Sequence, residues 1–427
     1  MKSLTLVYEW IGPHGPISNS RIANYADFYH RSTGEEIVSQ GLDPFYYFLR
    51  NNTDCKINLK TPIMLEDNEI FLYELEMHFT RDWYSNFFIG KGIFENSKIS
   101  DDIKNRVMNK TGYLMFTTPM ESFVDDHMFH LMTEYFNYYK IPLSQIIYAT
   151  NSPNADTLYK NFCARKNIEP LMNCAYIGMY ERLLISDTKN SSVLMNNTYK
   201  VESKQKTFLN FNRRYRNQRF WFLLEIYKRH LLDEFYISFD KTQPEGNLPF
   251  LPKAKEINQS MGVNLSIEQL EELNEKLPLV LDSENFSVFP MENALSDTLP
   301  FYKNSLIHVV TETEFFTDII HVSEKTFKPI MYKQPFIFLG PPYILKFLKD
   351  SGYKTFNNFW DESYDNITDH HSRMLAILEL IESLSKLSDI GKLELSNHMQ
   401  DIVEFNFNKF VTQTPTMLYD FIEKYGT

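Results

Sequence analysis

The chain has 427 residues, of which 43% are hydrophobic and 15% aromatic, and it carries a formal net charge of −12. This composition excludes an intrinsically disordered chain, and the length favours two domains, each large enough to bury a core of its own. The negative charge disfavours a protein that coats nucleic acid non-specifically, although it does not exclude a local basic cleft.

Three further features narrow the class of protein. No apolar run reaches the roughly 18 residues that span a membrane, and the N-terminus lacks the pattern of a secretory signal, so we expect a cytoplasmic protein. The cysteines, Cys55, Cys163 and Cys174, show no Cys-x-x-Cys spacing, which argues against a disulfide framework and a cysteine zinc site. Glycine is scarce, and the Gly-x-Gly-x-x-Gly fingerprint of classical dinucleotide-binding folds is absent.

The N-terminal segment predicts a strand followed by a loop. Residues 3–8 are typical of a first strand, and the Gly/Pro-rich loop after them contains Glu9 and His14. Loops that follow strands often bind ligands in α/β folds, so both side chains are candidates for a binding cleft. The alternative is that this loop is only a turn. Residues 70–77 predict another strand, in a region whose topology the pattern does not fix.

From Gly112 onward the pattern alternates between strands and helices. Residues 113–117 and 145–150 predict strands, residues 123–139 predict an amphipathic helix, and a further helix ends near Arg165. This β-α-β-α order is typical of a Rossmann-like half with a parallel sheet.

Acidic side chains lie at the start of the first of these helices. Glu121 and Asp125 are candidates for a general base, but acids in the first turn of a helix are more often capping groups. His127 and His130, beside Asp126, have the spacing to share a metal ion on one helical face. We favour a partly buried helical face on which this spacing is a coincidence, and we predict no metal site.

A polar stretch, residues 186–201, predicts the linker between two domains. It is rich in Asn and Ser, and it divides the chain into an N-terminal domain of residues 1–195 and a C-terminal domain of residues 196–427. Beyond it, residues 206–211 predict a strand and residues 219–232 a helix, with a loop between them.

A basic cluster lies around this predicted loop. Six basic residues and no acid occur between positions 204 and 219: Lys204, Lys206, Arg213, Arg214, Arg216 and Arg219. Arginines in a strand-to-helix loop can bind phosphate bidentately, while the helix N-terminus donates its N–H groups. A solvated loop or a contact with nucleic acid is the alternative.

Residues 305–356 hold the clearest pattern in the chain. Residues 306–310 predict a buried strand, residues 323–333 a helix with a capping signal, and residues 336–339 a second strand. The order strand, helix, strand is the unit of a parallel α/β sheet. Glu324 and Lys325 therefore lie at a helix N-terminus, near the carboxyl edge of that sheet, where ligands of such folds collect.

The chemistry of this dipeptide suits a nucleotide. The helix N-terminus and Lys325 attract phosphate, whereas the carboxylate of Glu324 can accept two hydrogen bonds from the vicinal hydroxyls of a ribose. The alternative is that Glu324 is an ordinary first-turn acid and Lys325 a solvated side chain.

Two blocks resemble a known family. The segment 323–327, Ser-Glu-Lys-Thr-Phe, followed by segment 334–341, Gln-Pro-Phe-Ile-Phe-Leu-Gly-Pro, resembles the donor-binding block of the α-1,3-fucosyltransferase-like GT-B glycosyltransferases. Residues 208–219 resemble that family's strand ending in Ser-Asn-x₅-Arg, with Asn210 and Arg216 at the matching positions and Leu209 in place of the Ser. Most of the chain lies outside these blocks.

The resemblance implies an α/β, GT-B-like fold of two Rossmann-like domains facing a cleft, with the last helix crossing back to the first domain. It implies a nucleotide-sugar donor whose diphosphate is held by Arg216, with Arg213, Arg214 or Arg219 as alternatives, and an inverting transfer. Fixed positive charge from Arg216, Arg219 and Lys325 would make a metal or other cofactor unnecessary. The general base is expected from the first domain, from Glu9, His14, Glu121 or Asp125.

The acceptor stays open at this point. The resemblance extends loosely to bacteriophage proteins, a setting that implies transfer to a hydroxymethylated DNA base in the host cytoplasm. A cell-surface glycan or lipid-linked sugar is an equal alternative, and a protein or a small molecule is a further one. A non-catalytic module that binds phosphate or nucleic acid is the alternative from another class, but such a module has no need of Glu324 beside Lys325. The oligomeric state is not predicted.

Overall fold

The computed structural model describes residues 3–7, 11–12, 15–16, 56–60, 62–67, 69–76, 101–118, 124–138, 140–197, 206–212, 215–243, 248–281, 292–412 and 422–425. Contacts divide the chain into two compact units, Met1–Arg182 with Thr414–Thr427, and Leu183–Gln413. The division predicted from the sequence, between residues 195 and 196, stays a prediction.

The first unit is built on a parallel sheet of six strands in the order β4-β1-β5-β6-β7-β8. These strands are β1 (Ser3–Val7), β4 (Lys56–Lys60), β5 (Phe71–Glu76), β6 (Gly112–Thr118), β7 (Ile146–Thr150) and β8 (Asn173–Tyr176). A short antiparallel pair, β2 (Ile11–Gly12) and β3 (Gly15–Pro16), lies between β1 and β4 in the chain. The strands are rich in Leu, Ile and aromatic residues, and every residue of β7 is buried, as expected for a parallel strand covered on both faces.

The helices of this part of the chain alternate with the strands. They are α1 (Asp101–Met108), α2 (Asp126–Tyr138), α3 (Ala155–Lys166), α4 (Met179–Asn190), which spans the division between the units, and the short α5 (Ser192–Met195). Near the C-terminus, Tyr425 packs into a core cluster of the first sheet with Leu4 and Leu72.

The second unit is built on a four-stranded parallel sheet in the order β10-β9-β13-β14. Its strands are β9 (Lys206–Asn212), β10 (Phe235–Phe239), β13 (Ser305–Thr311) and β14 (Phe336–Leu339), and a separate short pair is formed by β11 (Thr242–Gln243) and β12 (Leu248–Pro249). Its further helices are α6 (Asn217–Lys228), α7 (Phe250–Ser260), α8 (Ile267–Glu275), α9 (Glu292–Asn304), α10 (Glu324–Met331), α11 (Ile344–Asp350), α12 (His370–Ser385) and α13 (Asp389–Thr412).

The predicted α/β class with two Rossmann-like units is confirmed, because each unit holds a parallel sheet and helices connect several of its strands, whereas a cleft between the units stays a prediction. The strand-helix-strand pattern around Glu324 is β13, α10 and β14, and the β-α-β-α run after Gly112 is β6, α2, β7 and α3. Among the helices of the described residues, none combines the length and the apolar composition that crossing a bilayer requires.

Much of the stretch predicted as a linker, residues 186–201, is helical, and its role as a linker stays a prediction. Residues up to Asn190 belong to α4, and residues 192–195 form α5, which Ser191 caps by accepting a hydrogen bond from the N–H of Leu194 at 3.3 Å. Leu194, Thr188 and Asn197 are buried, so this polar stretch contributes side chains to the packing that its overall composition conceals.

Candidate functional site

The carboxyl edge of the second sheet brings two helix N-termini to one side. Strands β9 and β13 are adjacent and parallel, with Ser305 paired to Lys206 and His308 to Leu209. The chain after β9 leads to α6, and residues 312–323 lead from β13 to α10. Because both strands end at the same edge, the N-termini of α6 and α10 lie where ligands of doubly wound sheets bind.

Helix α10 begins as its sequence predicts. Ser323 has extended backbone angles, and its Oγ accepts hydrogen bonds from the backbone N–H of Lys325 at 3.2 Å and from Lys325 Nζ at 3.3 Å. Lys325 Nζ also pairs with Glu324 Oε1 at 3.0 Å, and the two side chains are 26% and 22% exposed. The predicted cap is confirmed, and it leaves a cation and an anion partly accessible at the positive end of the helix dipole.

The carboxylate of Glu324 is ionised throughout the neutral range. Burial alone raises the pKa of Glu324, but the charges of Lys325 and Lys328 and the local hydrogen bonds outweigh that effect and lower the pKa to about 2. An ionised carboxylate only accepts hydrogen bonds, so Glu324 is suited to hydroxyl groups rather than to phosphate.

A second carboxylate, which the sequence reasoning missed, lies beneath this helix start. Glu312 follows β13 directly and is 0% exposed. It accepts hydrogen bonds from Ser323 Oγ at 2.8 Å and Thr326 Oγ1 at 2.5 Å, and from the N–H of Thr313 at 3.2 Å. Burial raises the pKa of Glu312, an effect that the charge of Lys325 opposes.

The N-terminal turn of α6 is tied to the same residue. Gln218 Nε2 donates to the carbonyl oxygens of Glu312 at 3.0 Å and Thr313 at 2.8 Å. Arg216 occupies the N-cap position of α6 and is exposed. The first turns of the two helices that carry Arg216 and Lys325 are therefore both bonded to Glu312.

A buried imidazole is affected by these charges. His321 is 4% exposed, and burial, followed by the nearby charge of Lys325, lowers its pKa to about 4, with Arg216 acting in the same direction and Glu324 in the opposite one. The charges of Arg216, Glu324 and Lys325 therefore all affect the protonation of this one ring. The sequence offered one signal for it, a His three residues before the Glu-Lys pair.

Two other predicted binding residues are buried. Asn210 is 0% exposed, and its Nδ2 donates to the carbonyl oxygen of Val309 at 2.6 Å and to Thr311 Oγ1 at 2.9 Å, which ties β9 to β13. Arg219 lies in the first turn of α6 and is 4% exposed. The ligand contacts assigned to both residues stay predictions.

In the first unit, Asp125 caps α2. Its Oδ1 accepts a hydrogen bond from the N–H of Met128 at 2.9 Å. The neighbouring Asp126 pairs with Arg165 at 2.5 Å, and His127 and His130 are exposed. Within the ranges that the structure describes, no group of three or more His, Cys, Asp or Glu side chains is arranged to hold a metal ion.

The remaining candidates lie outside the described residues. They are the proposed bases Glu9, His14 and Glu121, and the loop arginines Arg213 and Arg214. Their roles stay predictions.

Comparison with known proteins finds similarity to solved structures. The chain is similar to α,α-trehalose 6-phosphate synthase from Burkholderia multivorans (8% identity, TM-score 0.38, covering 95% of this chain and 80% of that one). It is similar to the UDP-forming α,α-trehalose-phosphate synthase from Burkholderia vietnamiensis (9% identity, TM-score 0.38, covering 95% of this chain and 83% of that one). It is also similar to the trehalose-6-phosphate synthase OtsA (8% identity, TM-score 0.39, covering 99% of this chain and 98% of that one). No protein-family model and no curated protein matches the sequence. Because these identities and TM-scores are low, no function is transferred from these proteins to this chain.

Proposed function

We propose that the chain is a glycosyltransferase that binds a nucleotide-sugar donor at the carboxyl edge of the second sheet and transfers the sugar to a hydroxyl acceptor. The observation that supports it most is the ion pair of Glu324 and Lys325 at the N-terminus of α10, with Arg216 at the N-terminus of α6 on the same edge. This pairing offers separate partners for the two halves of a nucleotide.

The diphosphate would be met by positive charge from three sources. Lys325 is partly exposed, Arg216 is exposed, and the first turn of α10 contributes its N–H groups. In the transfer step the acceptor oxygen bonds to the sugar carbon while the carbon–oxygen bond to phosphate breaks, and the electron pair leaves with the nucleoside diphosphate. Fixed cations stabilise this departing charge, which is commonly the largest catalytic effect.

The ribose would be recognised by Glu324. Its carboxylate is ionised because its pKa is lowered to about 2, and it has two oxygens that can each accept a hydroxyl. A site that only binds phosphate gains nothing from a carboxylate there, since the negative charge would repel the ligand.

The transfer also needs a base for the acceptor proton. Glu9, His14, Glu121 and Asp125 remain the candidates, and direct displacement would make the reaction inverting. We propose that no metal takes part, because the cations named above fill that role. Excess chelator should then leave turnover nearly unchanged, whereas loss of turnover that manganese or magnesium restores would contradict this part of the proposal.

The donor assignment is tested by thermal shift with a panel of nucleoside diphosphates, nucleotide sugars and the matching nucleosides. A ligand at about 100 times its dissociation constant stabilises the folded protein by about 2.7 kcal/mol. We expect stabilisation by at least one nucleoside diphosphate and its sugar conjugate, and none by the nucleoside. Binding of nucleic acid without any response to nucleotides would favour the non-catalytic module instead.

The acceptor class is tested separately, with the donor that the panel identifies. Radiolabelled donor is incubated with hydroxymethylcytosine DNA, with unmodified DNA and with glycan or lipid-linked sugar acceptors. Label in the modified DNA alone would assign a DNA-modifying enzyme. Label in neither DNA, from an enzyme that still hydrolyses its donor, would assign the glycan class.

A further inference from the structure

The buried carboxylate of Glu312 is surrounded by three hydrogen-bond donors. It is 0% exposed and receives the hydroxyls of Ser323 and Thr326 and the N–H of Thr313. A buried carboxylate is tolerated only when it is hydrogen-bonded, and these donors bond to both of its oxygens. Two of them come from the first turn of α10 and its cap.

The geometry fixes the direction of the hydrogen between Ser323 and Glu312. Ser323 Oγ already accepts from the N–H of Lys325 at 3.2 Å and from Lys325 Nζ at 3.3 Å, so its own hydrogen is donated to Glu312 Oε2 at 2.8 Å. The N–H of Thr313 also points at Oε2, at 3.2 Å, which makes this oxygen an acceptor whether or not Glu312 carries a proton. Glu312 thus turns the lone pairs of Ser323 towards Lys325.

We propose that Glu312 is a positioning residue for the donor site: through the hydroxyl of Ser323 it holds the ammonium group of Lys325 where the diphosphate binds. This inference rests on the proposed function. Glu312 is fully buried and touches no ligand itself. Its carbonyl oxygen, bonded to Gln218 at 3.0 Å, connects the same residue to the helix that Arg216 caps.

The first test needs no ligand. Lys325 is labelled by competitive acetylation, and the extent is read by peptide mass spectrometry. In Glu312→Leu and in Ser323→Ala, we expect Lys325 to react about fivefold faster than in the parent, because its Nζ loses an oriented acceptor. Glu312→Gln should stay within about twofold of the parent, since its amide oxygen can still accept from Ser323 and Thr313 while its amide group donates to Thr326.

A matched control lies elsewhere in the second unit. Glu362 is 6% exposed, and it accepts from Thr355 Oγ1 at 2.6 Å and from the N–H of Phe356 at 2.7 Å, with Lys349 Nζ at 3.0 Å. Glu362→Leu removes an equivalent buried carboxylate. It should raise the labelling of Lys349 and leave Lys325 within about twofold of the parent.

The second test measures nucleoside-diphosphate affinity by calorimetry. We expect Glu312→Leu and Ser323→Ala each to weaken binding about fivefold to tenfold, and the double variant to bind no more weakly than the worse single variant, because both act through Lys325. Glu362→Leu lowers stability without changing affinity. If Glu312→Leu does not fold, Glu312→Asp replaces it, since the shorter side chain withdraws the carboxylate from Ser323 and keeps the charge.

The outcomes separate this inference from the proposed function. If the parent binds a nucleoside diphosphate and Lys325→Ala weakens it, unchanged labelling and affinity in the Glu312 and Ser323 variants overturn the positioning role alone. Fully additive losses in the double variant overturn it as well. A parent that binds no nucleoside diphosphate overturns both, even where the labelling of Lys325 responds to Glu312.

Discussion

Two strand-to-helix connections each carry an acidic residue, but the two residues make different contacts. The first connection leads from β6 to α2 in the first unit, and the second leads from β13 to α10 in the second unit. Asp125 accepts a hydrogen bond from the N–H of Met128 and so caps its own helix, α2. Glu312 lies at the strand end instead, and it binds two hydroxyls, of Ser323 and Thr326, at the far end of the loop. An acid near the carboxyl edge of a parallel sheet is thus no sign of a binding site by itself. The second connection differs because it leads to the partly exposed ion pair of Glu324 and Lys325, and the buried Glu312 is linked to Lys325 through the hydroxyl of Ser323.

The largest expected effect on stability comes from removing a buried side chain that bonds to the second connection. Arg373 is 1% exposed, and its guanidinium donates to the carbonyl oxygens of Phe315, Gly340, Ile367 and Thr368. We expect Arg373→Met to lower the free energy of unfolding by about 3–5 kcal/mol, because several buried carbonyl groups lose a charged donor.

Urea denaturation measures this effect. The matched control is Arg165→Met, since Arg165 is 56% exposed and pairs with Asp126 at the surface, where a loss of about 1 kcal/mol or less is expected. Equal effects of the two substitutions would contradict the view that the loop after β13 is held by buried contacts.

The next largest effect is a change of the free energy of unfolding with pH. The pKa of His321 is lowered from 6.5 to about 4 by burial and by the charge of Lys325, so the folded protein binds its proton more weakly than the unfolded chain does. His321 therefore destabilises the folded state as pH falls from 6.5 towards 4, by about 1.4 kcal/mol per pH unit. His308, whose pKa burial lowers to about 3, acts in the same direction.

His321→Gln should reduce the slope of the free energy of unfolding against pH between about pH 6.5 and 4, measured by denaturation at several pH values. His130→Gln, an exposed change in the first unit, is the control and should leave the slope as in the parent. A variant at His321 with the full parental slope would show that this imidazole does not cause the loss of stability in acid.

A smaller effect concerns nucleotide selectivity. We expect Glu324→Gln to lose about 1.5 kcal/mol of the preference for ribonucleoside over deoxyribonucleoside diphosphates, because a neutral amide accepts hydroxyl hydrogens less strongly than a carboxylate. Calorimetry with both nucleotides gives the difference. Glu379→Gln, an exposed change on α12, should keep the parental preference. A Glu324 variant that discriminates as the parent does would remove the ribose role.

The smallest effect concerns the first connection. Asp125→Ala should cost about 1 kcal/mol of stability through the lost cap, whereas Asp125→Asn should cost little, since Asn caps helices as well as Asp does. Turnover separates capping from catalysis. If Asp125→Asn folds as the parent does and loses nearly all turnover, Asp125 is the general base and the contrast between the two connections fails.

The elements of the second connection could be predicted because their signals are local. Ser323 before Glu324 is a capping pattern, and the short apolar runs at β13 and β14 leave little choice of structure. Glu312 could not be found in this way. In the run Thr-Glu-Thr-Glu nothing distinguishes it from Glu314, and only the return of the chain eleven positions later places Ser323 over its carboxylate.

Arg219 shows the same limit on local reasoning. It belongs to the basic cluster that is predicted to bind phosphate, and the pattern predicts that the helix begins at this residue. Helix α6 begins two positions earlier, at Asn217, and Arg219 then falls beside Phe220 and Trp221 on buried positions of the helix. The direction of a side chain depends on where the helix starts, and that boundary is the least certain part of a pattern.

The most direct test of the central claim is a calorimetric titration of the nucleoside diphosphate that stabilises the parent best. It is carried out on the parent, Lys325→Ala, Arg216→Ala and the control Lys346→Ala, a lysine that is 62% exposed and pairs with Asp350 on α11. We predict that Lys325→Ala and Arg216→Ala each lose about 1.5–3 kcal/mol of binding free energy, as for a lost charged hydrogen bond, and that Lys346→Ala loses none. Parental affinity in both Lys325→Ala and Arg216→Ala would contradict the assignment of the donor site.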